Sequence, residues 1–88
     1  MKEKELEKIF KSLANRRRLA ILAFLKKKKQ ANVGEIAGEI KLSFKSTSRH
    51  LGVLASSGIL DKEQSSLYSI YSFSNEPNET LKKILNLL

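Results

Sequence analysis

The sequence has no cysteine, one histidine (His50) and one proline (Pro77) in 88 residues. Without cysteine there is no disulfide staple, thiolate metal site, cysteine nucleophile or thiol redox switch, and nothing points to an oxidising compartment. A chain this short buries only about two-thirds of the surface that its unfolded form exposes. Oligomerisation is the common supplement that remains open to it. One imidazole, no thiol and no glycine-rich phosphate loop leave no catalytic set, so the chain is not expected to be an enzyme. The longest apolar run, Leu19 to Leu25, is far too short to span a bilayer. No charged segment leads into a signal-type cleavage site, so a cytoplasmic protein is expected. Residues 1–88 read as a single domain without an internal repeat.

Acidic residues are scarce, and their scarcity is local. Lys and Arg number 17 against 9 Asp and Glu, for a net charge of +8. Such an excess points to a polyanionic partner, with a merely solvated basic surface as the bland alternative. Residues 13 to 30 hold three Arg, four Lys and no acid. Lys26 to Lys29 fall at a helix end, where the carbonyl end of the dipole favours cations, so that run needs no functional explanation.

Hydrophobic spacing predicts the elements. Leu6, Ile9, Phe10 and Leu13 form an i, i+3, i+4, i+7 stripe on a first helix. Asn15 is a candidate N-cap for a second helix, whose apolar residues 19–25 cover almost every direction and mark it as central to the core. Asn32 and Glu35 make a capping-box-like start for a short helix from Val33 to Ile40. Lys41 and Leu42 break that helix before Ser43, which can cap a further one. Thr47, Leu51 and Leu54 share the inward face of this next helix, and Gly58 stops it. The period then changes from 3.6 to 2, predicting strands from Ile59 to Lys62 and from Leu67 to Phe73, with the turn at Gln64-Ser65-Ser66. Pro77 suits the first turn of a last helix carrying Leu81, Ile84, Leu85 and Leu88 at helical spacing. The fold class expected is mainly α with a small β-hairpin: a winged helix-turn-helix with a two-stranded wing.

The segments KSLANRRRLAILAFL (11–25), VGEIAGEIKLS (33–43), STSRHLGVLASSGIL (46–60) and YSIYSFS (68–74) carry a family resemblance. From Phe10 to Ser74 the chain resembles the ArsR family of bacterial and archaeal repressors, most specifically in SRHLGVL followed by GIL. The resemblance implies a homodimer that binds a duplex operator through two recognition helices. Members that sense metals or arsenicals commonly carry a cysteine pair where this chain has Asn32-Val33-Gly34, or paired His and acidic ligands on the last helix. Neither set is present, so no metal site of that kind and no cofactor are expected. The family's usual turn glycine is replaced by Lys41, which must become left-handed at a cost of roughly 1 kcal/mol or reshape the turn.

With Thr47, Leu51 and Leu54 inward, Lys45, Arg49, Gly52 and Ser56 face outward, with Ser46 and Ser48 on their flanks. Lys45 and Arg49 can donate to guanine O6 and N7, Ser46 and Ser48 can bond bases or phosphates, and Gly52 lets the backbone approach. His50 lies at the boundary, suited equally to a phosphate or to a neighbour in the protein. Arg16, Arg17 and Arg18 occupy a first helical turn, where the dipole disfavours cations. Two partners answer for them: a DNA phosphate, or Glu3, Glu5 or Glu7 from the first helix of the same or the partner subunit. Lys62 is the basic candidate on a wing that also holds Asp61 and Glu63.

The terminal stripes, Leu6, Ile9 and Phe10 with Leu81, Ile84, Leu85 and Leu88, are expected to form a twofold interface. Packing within one chain is the alternative. Such a dimer would set its recognition helices about 34–36 Å apart on a near-palindrome. The function expected is sequence-specific binding of double-stranded DNA by a transcriptional regulator, as a repressor. The competing reading is a winged helix that binds a protein or RNA partner. Membrane binding by residues 13–30 is disfavoured, because that helix is needed in the core.

Overall fold

The computed structural model describes residues 2–75 and 79–88. The chain runs α1 (Glu3–Leu13), α2 (Arg16–Lys28), β1 (Gln30–Asn32), α3 (Val33–Ile40), α4 (Phe44–Ser56), β2 (Leu60–Ser65), β3 (Tyr68–Phe73) and α5 (Glu79–Leu85). This is a winged helix-turn-helix. The expected role of Pro77 falls on a residue outside those described.

Side-chain caps set the starts of α2, α3 and α4. Asn15 accepts from the Arg18 backbone N–H at 3.0 Å, and Ser43 Oγ accepts from that of Ser46 at 3.1 Å. Asn32 and Glu35 form a reciprocal capping box, with bonds of 2.8 and 2.9 Å. Each cap satisfies amide donors that the helix itself leaves unpaired. Glycine ends α4: Gly58 has φ 80°, its N–H donates to Ala55, and that of Ile59 donates to Leu54. These two bonds are the Schellman pattern, and Ile59 and Leu54 both enter the core.

The turn between α3 and α4 closes without glycine. Lys41 is left-handed at φ 56°, ψ 51°, and the Leu42 N–H reaches the Ala37 carbonyl at 3.1 Å. Of the two outcomes expected for Lys41, the chain takes the strained backbone.

The core lies where α2, α3, α4 and the sheet meet. Ile21, Leu22 and Leu25 of α2, Ile36 of α3, and Leu51 and Leu54 of α4 are wholly buried. Each such side chain contributes about 1.5–3 kcal/mol relative to an exposed one. Ala20 is exposed, so α2 is less uniformly covered than its composition suggests.

Two expectations about the strands need correction. The sheet has three strands in the order β1-β3-β2, not two, because Gln30–Asn32 pairs antiparallel with Ser72, Tyr71 and Ile70. The hairpin turn is Ser66-Leu67, since Ser65 pairs directly with Tyr68. Ser66 supplies the positive φ, 54°, that a tight hairpin needs and glycine would give more cheaply. Leu67 is therefore at the wing tip and 89% exposed, rather than on a strand face.

Candidate nucleic-acid interface

Helix α4 presents two chemically different sides. Thr47, Leu51 and Leu54 are fully buried, which anchors the helix by one stripe. Lys45, Arg49, Gly52 and Ser56 are exposed on the other side, and Ser46 and Ser48 are half-buried at its edges. The helix contains no acidic residue, so its outer side carries positive charge only. Among the described residues, a Cβ added at Gly52 would meet nothing within 4 Å, so no packing requirement there explains the glycine.

The three arginines at the start of α2 separate into different roles. Arg18 donates from Nε to the Ser12 carbonyl and from Nη2 to that of Lys11 at 3.3 Å. Its Nη1 lies 3.1 Å from His50 Nδ1. Arg17 Nη1 donates to the Ile40 carbonyl at 3.3 Å. Carbonyls at the ends of α1 and α3 thus supply the negative potential that the start of α2 lacks. Arg18, expected as a DNA contact, thus spends its guanidinium on acceptors of its own chain. Within one chain, and among the described residues, the three arginines form no ion pair with Glu3, Glu5 or Glu7; Glu7 lies 4.0 Å from Lys11 instead. Arg16 and Arg17 remain exposed.

His50 is half-buried between these groups. Arginine has no acceptor, so Nδ1 must accept from Arg18 and the ring proton sits on Nε2. Burial, then Arg18 and Arg17, hold its pKa below the ordinary histidine value. Of the two roles open to His50, its Nδ1 takes the internal one, and only Nε2 is left for a phosphate.

In the wing, strand alternation separates the charges. Lys62 pairs with Tyr71 and shares a face with Leu60, whereas Asp61 and Glu63 pair with Ser72 and Ile70 on the other. Phe44, Leu67 and Tyr68, which were not singled out from the sequence, are 63%, 89% and 58% exposed. They border a shallow cleft with Asn32, Val33 and Gly34. Leu67 and Tyr68 are exposed because the hairpin turns at Ser66-Leu67, a position that strand period alone does not fix.

A second cleft runs between α1 and α4, where Lys8 and Lys11 face Arg49, Gly52 and Val53, with Arg18 beneath. On the terminal helices, Leu6, Ile9, Ile84 and Leu85 are half-buried, while Phe10 and Leu88 are 47% and 40% exposed. Leu81 is only 3% exposed and belongs to the chain's own core, so it backs this apolar face rather than lining it. Lys26 Nζ bonds the backbone oxygens of Leu85 and Leu88 at 3.3 and 3.1 Å, tying α5 to α2. Among the described residues, no group of three His, Asp or Glu side chains could hold a metal ion. No described helix is long and apolar enough to cross a membrane.

The family model described as bacterial regulatory protein, arsR family, matches residues 15–62, more than half of the chain. No curated protein matches the chain. Several solved structures do. The homodimeric winged helix-turn-helix DNA-binding domain of Mb0332 from Mycobacterium bovis, described as a possible ArsR-family transcriptional regulator, is 25% identical with a TM-score of 0.81, over 96% of this chain and 74% of that one. HlyU from Vibrio cholerae is 27% identical at 0.81, over 99% and 92%. The transcriptional repressor PagR of Bacillus anthracis is 27% identical at 0.78, over 96% and 92%.

Proposed function

The chain belongs to the ArsR family of bacterial regulatory proteins, and from that premise we propose that it is a homodimeric repressor that binds a near-palindromic duplex operator in the cytoplasm. The observation that carries this reading is the outer side of α4, with Lys45 and Arg49 exposed and no acid on the helix. Lys45 and Arg49 would read guanine edges, with Ser46 and Ser48 bonding bases or phosphates beside them. Arg16, Arg17 and Lys62 would meet phosphates, which position the protein without specifying sequence.

The homodimeric domain of Mb0332 supports self-association, and the half-open apolar stripes of the terminal helices are the surface we assign to it. Its face would consist of Leu6, Ile9, Phe10, Ile84, Leu85 and Leu88, an apolar surface that one chain leaves partly open. The repressor role is supported by PagR, which is named as one.

Selection from a randomised duplex pool tests the proposal. An enriched inverted repeat with half-sites about one helical turn apart is expected. No enrichment, with capture of single-stranded RNA instead, would sink it.

A further inference from the structure

The cleft between α1 and α4 is lined by Lys8, Lys11, Arg18 and Arg49 around an apolar floor that includes Gly52 and Val53. Among the described residues no acidic side chain lines it, although Glu7 lies 4.0 Å from Lys11 in an exposed pair with 67% and 76% of the two side chains open. Such a pair contributes little in water and yields readily to a stronger anion. Arg18 is fixed by its bonds to α1 and His50, so it adds a permanent charge to the cleft lining without a mobile head. Arg49 and Gly52 belong at once to this cleft and to the outer side of α4, which makes the two surfaces continuous.

We propose that this cleft holds the sugar-phosphate strand flanking the groove that α4 enters, with Lys8 and Lys11 as its phosphate contacts. Charge complementarity and continuity with the reading face identify the occupant. Deoxyribose is the apolar element between successive phosphates, and an apolar floor rimmed by cations matches that alternation. The inference rests on the DNA reading above and adds a contact from the first helix to it. Helix α1 then has two sides, one apolar and one for the nucleic acid backbone.

The test compares wild type with Lys8→Ala/Lys11→Ala and Lys8→Arg/Lys11→Arg on the duplex that wild type selects. The alanine pair is expected to weaken binding equally on matched and mismatched duplexes and to lower the slope of log affinity against log salt by about 1 per lysine. The arginine pair is expected to keep the wild-type slope. Replacing the flanking phosphates by neutral methylphosphonates is expected to weaken wild type and to add nothing to the alanine pair. A wild-type chain that selects a duplex, with an alanine pair of unchanged slope, overturns this proposal alone. Loss confined to one base position, or a change only in the oligomeric state of the free protein, also overturns it. If wild type selects no duplex, the underlying DNA reading has failed.

Discussion

Arg18 Nη1 lies 3.1 Å from His50 Nδ1 while the same guanidinium bonds the backbone oxygens of Lys11 and Ser12. One side chain of α2 therefore joins the end of α1 to α4, the helix proposed to enter DNA. Arg18→Met keeps an apolar stem but leaves these acceptors without their donor. It is expected to cost about 1.5–3 kcal/mol, the range for hydrogen bonds to a charged group. Urea denaturation checks it: the midpoint should fall at an unchanged slope.

The same contact gives a pH dependence. Burial first, then Arg18 and Arg17, depress the His50 pKa in the folded chain, so the unfolded chain takes up this proton at a higher pH. Between the folded pKa and about 6.5 the unfolded state binds more protons, and stability falls as pH drops through that window. Above it, His50 contributes no slope. His50→Gln retains an acceptor for Arg18 but does not titrate. Urea midpoints between about pH 7.5 and 5.5 should decline more for wild type than for this variant; equal declines would refute the assignment.

Thr47 is fully buried in α4 and, among the described residues, its Oγ1 has no hydrogen-bond partner. An orphaned buried hydroxyl carries a desolvation penalty of about 1–3 kcal/mol. Thr47→Val replaces that oxygen by a methyl group of similar size. The variant is expected to gain about 1 kcal/mol, visible as a rise in Tm of about 4–8 °C for a domain of this length.

Gly52 separates stability from function. It lies inside α4, where glycine costs about 1 kcal/mol relative to alanine, and an added Cβ would meet no atom of the described residues within 4 Å. Gly52→Ala is expected to raise Tm while weakening operator binding by about tenfold, or about 1.4 kcal/mol, because the methyl group would stand between the backbone and DNA. Thermal melts and fluorescence anisotropy on one preparation check both directions. Unchanged affinity would remove the close-approach role.

The elements legible in the sequence are those announced by local chemistry. Asn15, Asn32 with Glu35, and Ser43 begin helices, and Gly58 ends one, as their side chains and backbone freedom require. Strand β1 was not legible, because three residues are too few to show a period and its partner lies about forty positions away at Ile70–Ser72. The wing turn has no glycine to mark it in the sequence, its left-handed position being filled by Ser66. The outer side of α4 followed from helical spacing, but the role of Arg18 depends on where α1 ends relative to α2. Lys4, Lys8 and Lys11 recur at i, i+4, i+7, a basic stripe that spacing alone reveals. The approach of Lys8 and Lys11 to Arg49 requires the crossing of α1 and α4.

That crossing leaves the apolar side of α1 for the proposed dimer, and two substitutions distinguish this face from the core behind it. Phe10 is 47% exposed on α1, whereas Leu81 of α5 is 3% exposed and packed into the core cluster. Phe10→Asp puts a charge where two chains are proposed to meet and should halve the mass measured by light scattering while helical circular dichroism persists. Its affinity for the full palindrome should fall toward that for a half-site, since the second recognition helix no longer arrives with the first. Leu81→Ala should instead lower stability by about 2–5 kcal/mol through a cavity. A Phe10→Asp protein that stays dimeric would move the interface away from α1. A Leu81→Ala protein that dissociates without losing stability would mean that Leu81 serves the contact between chains rather than the core of one.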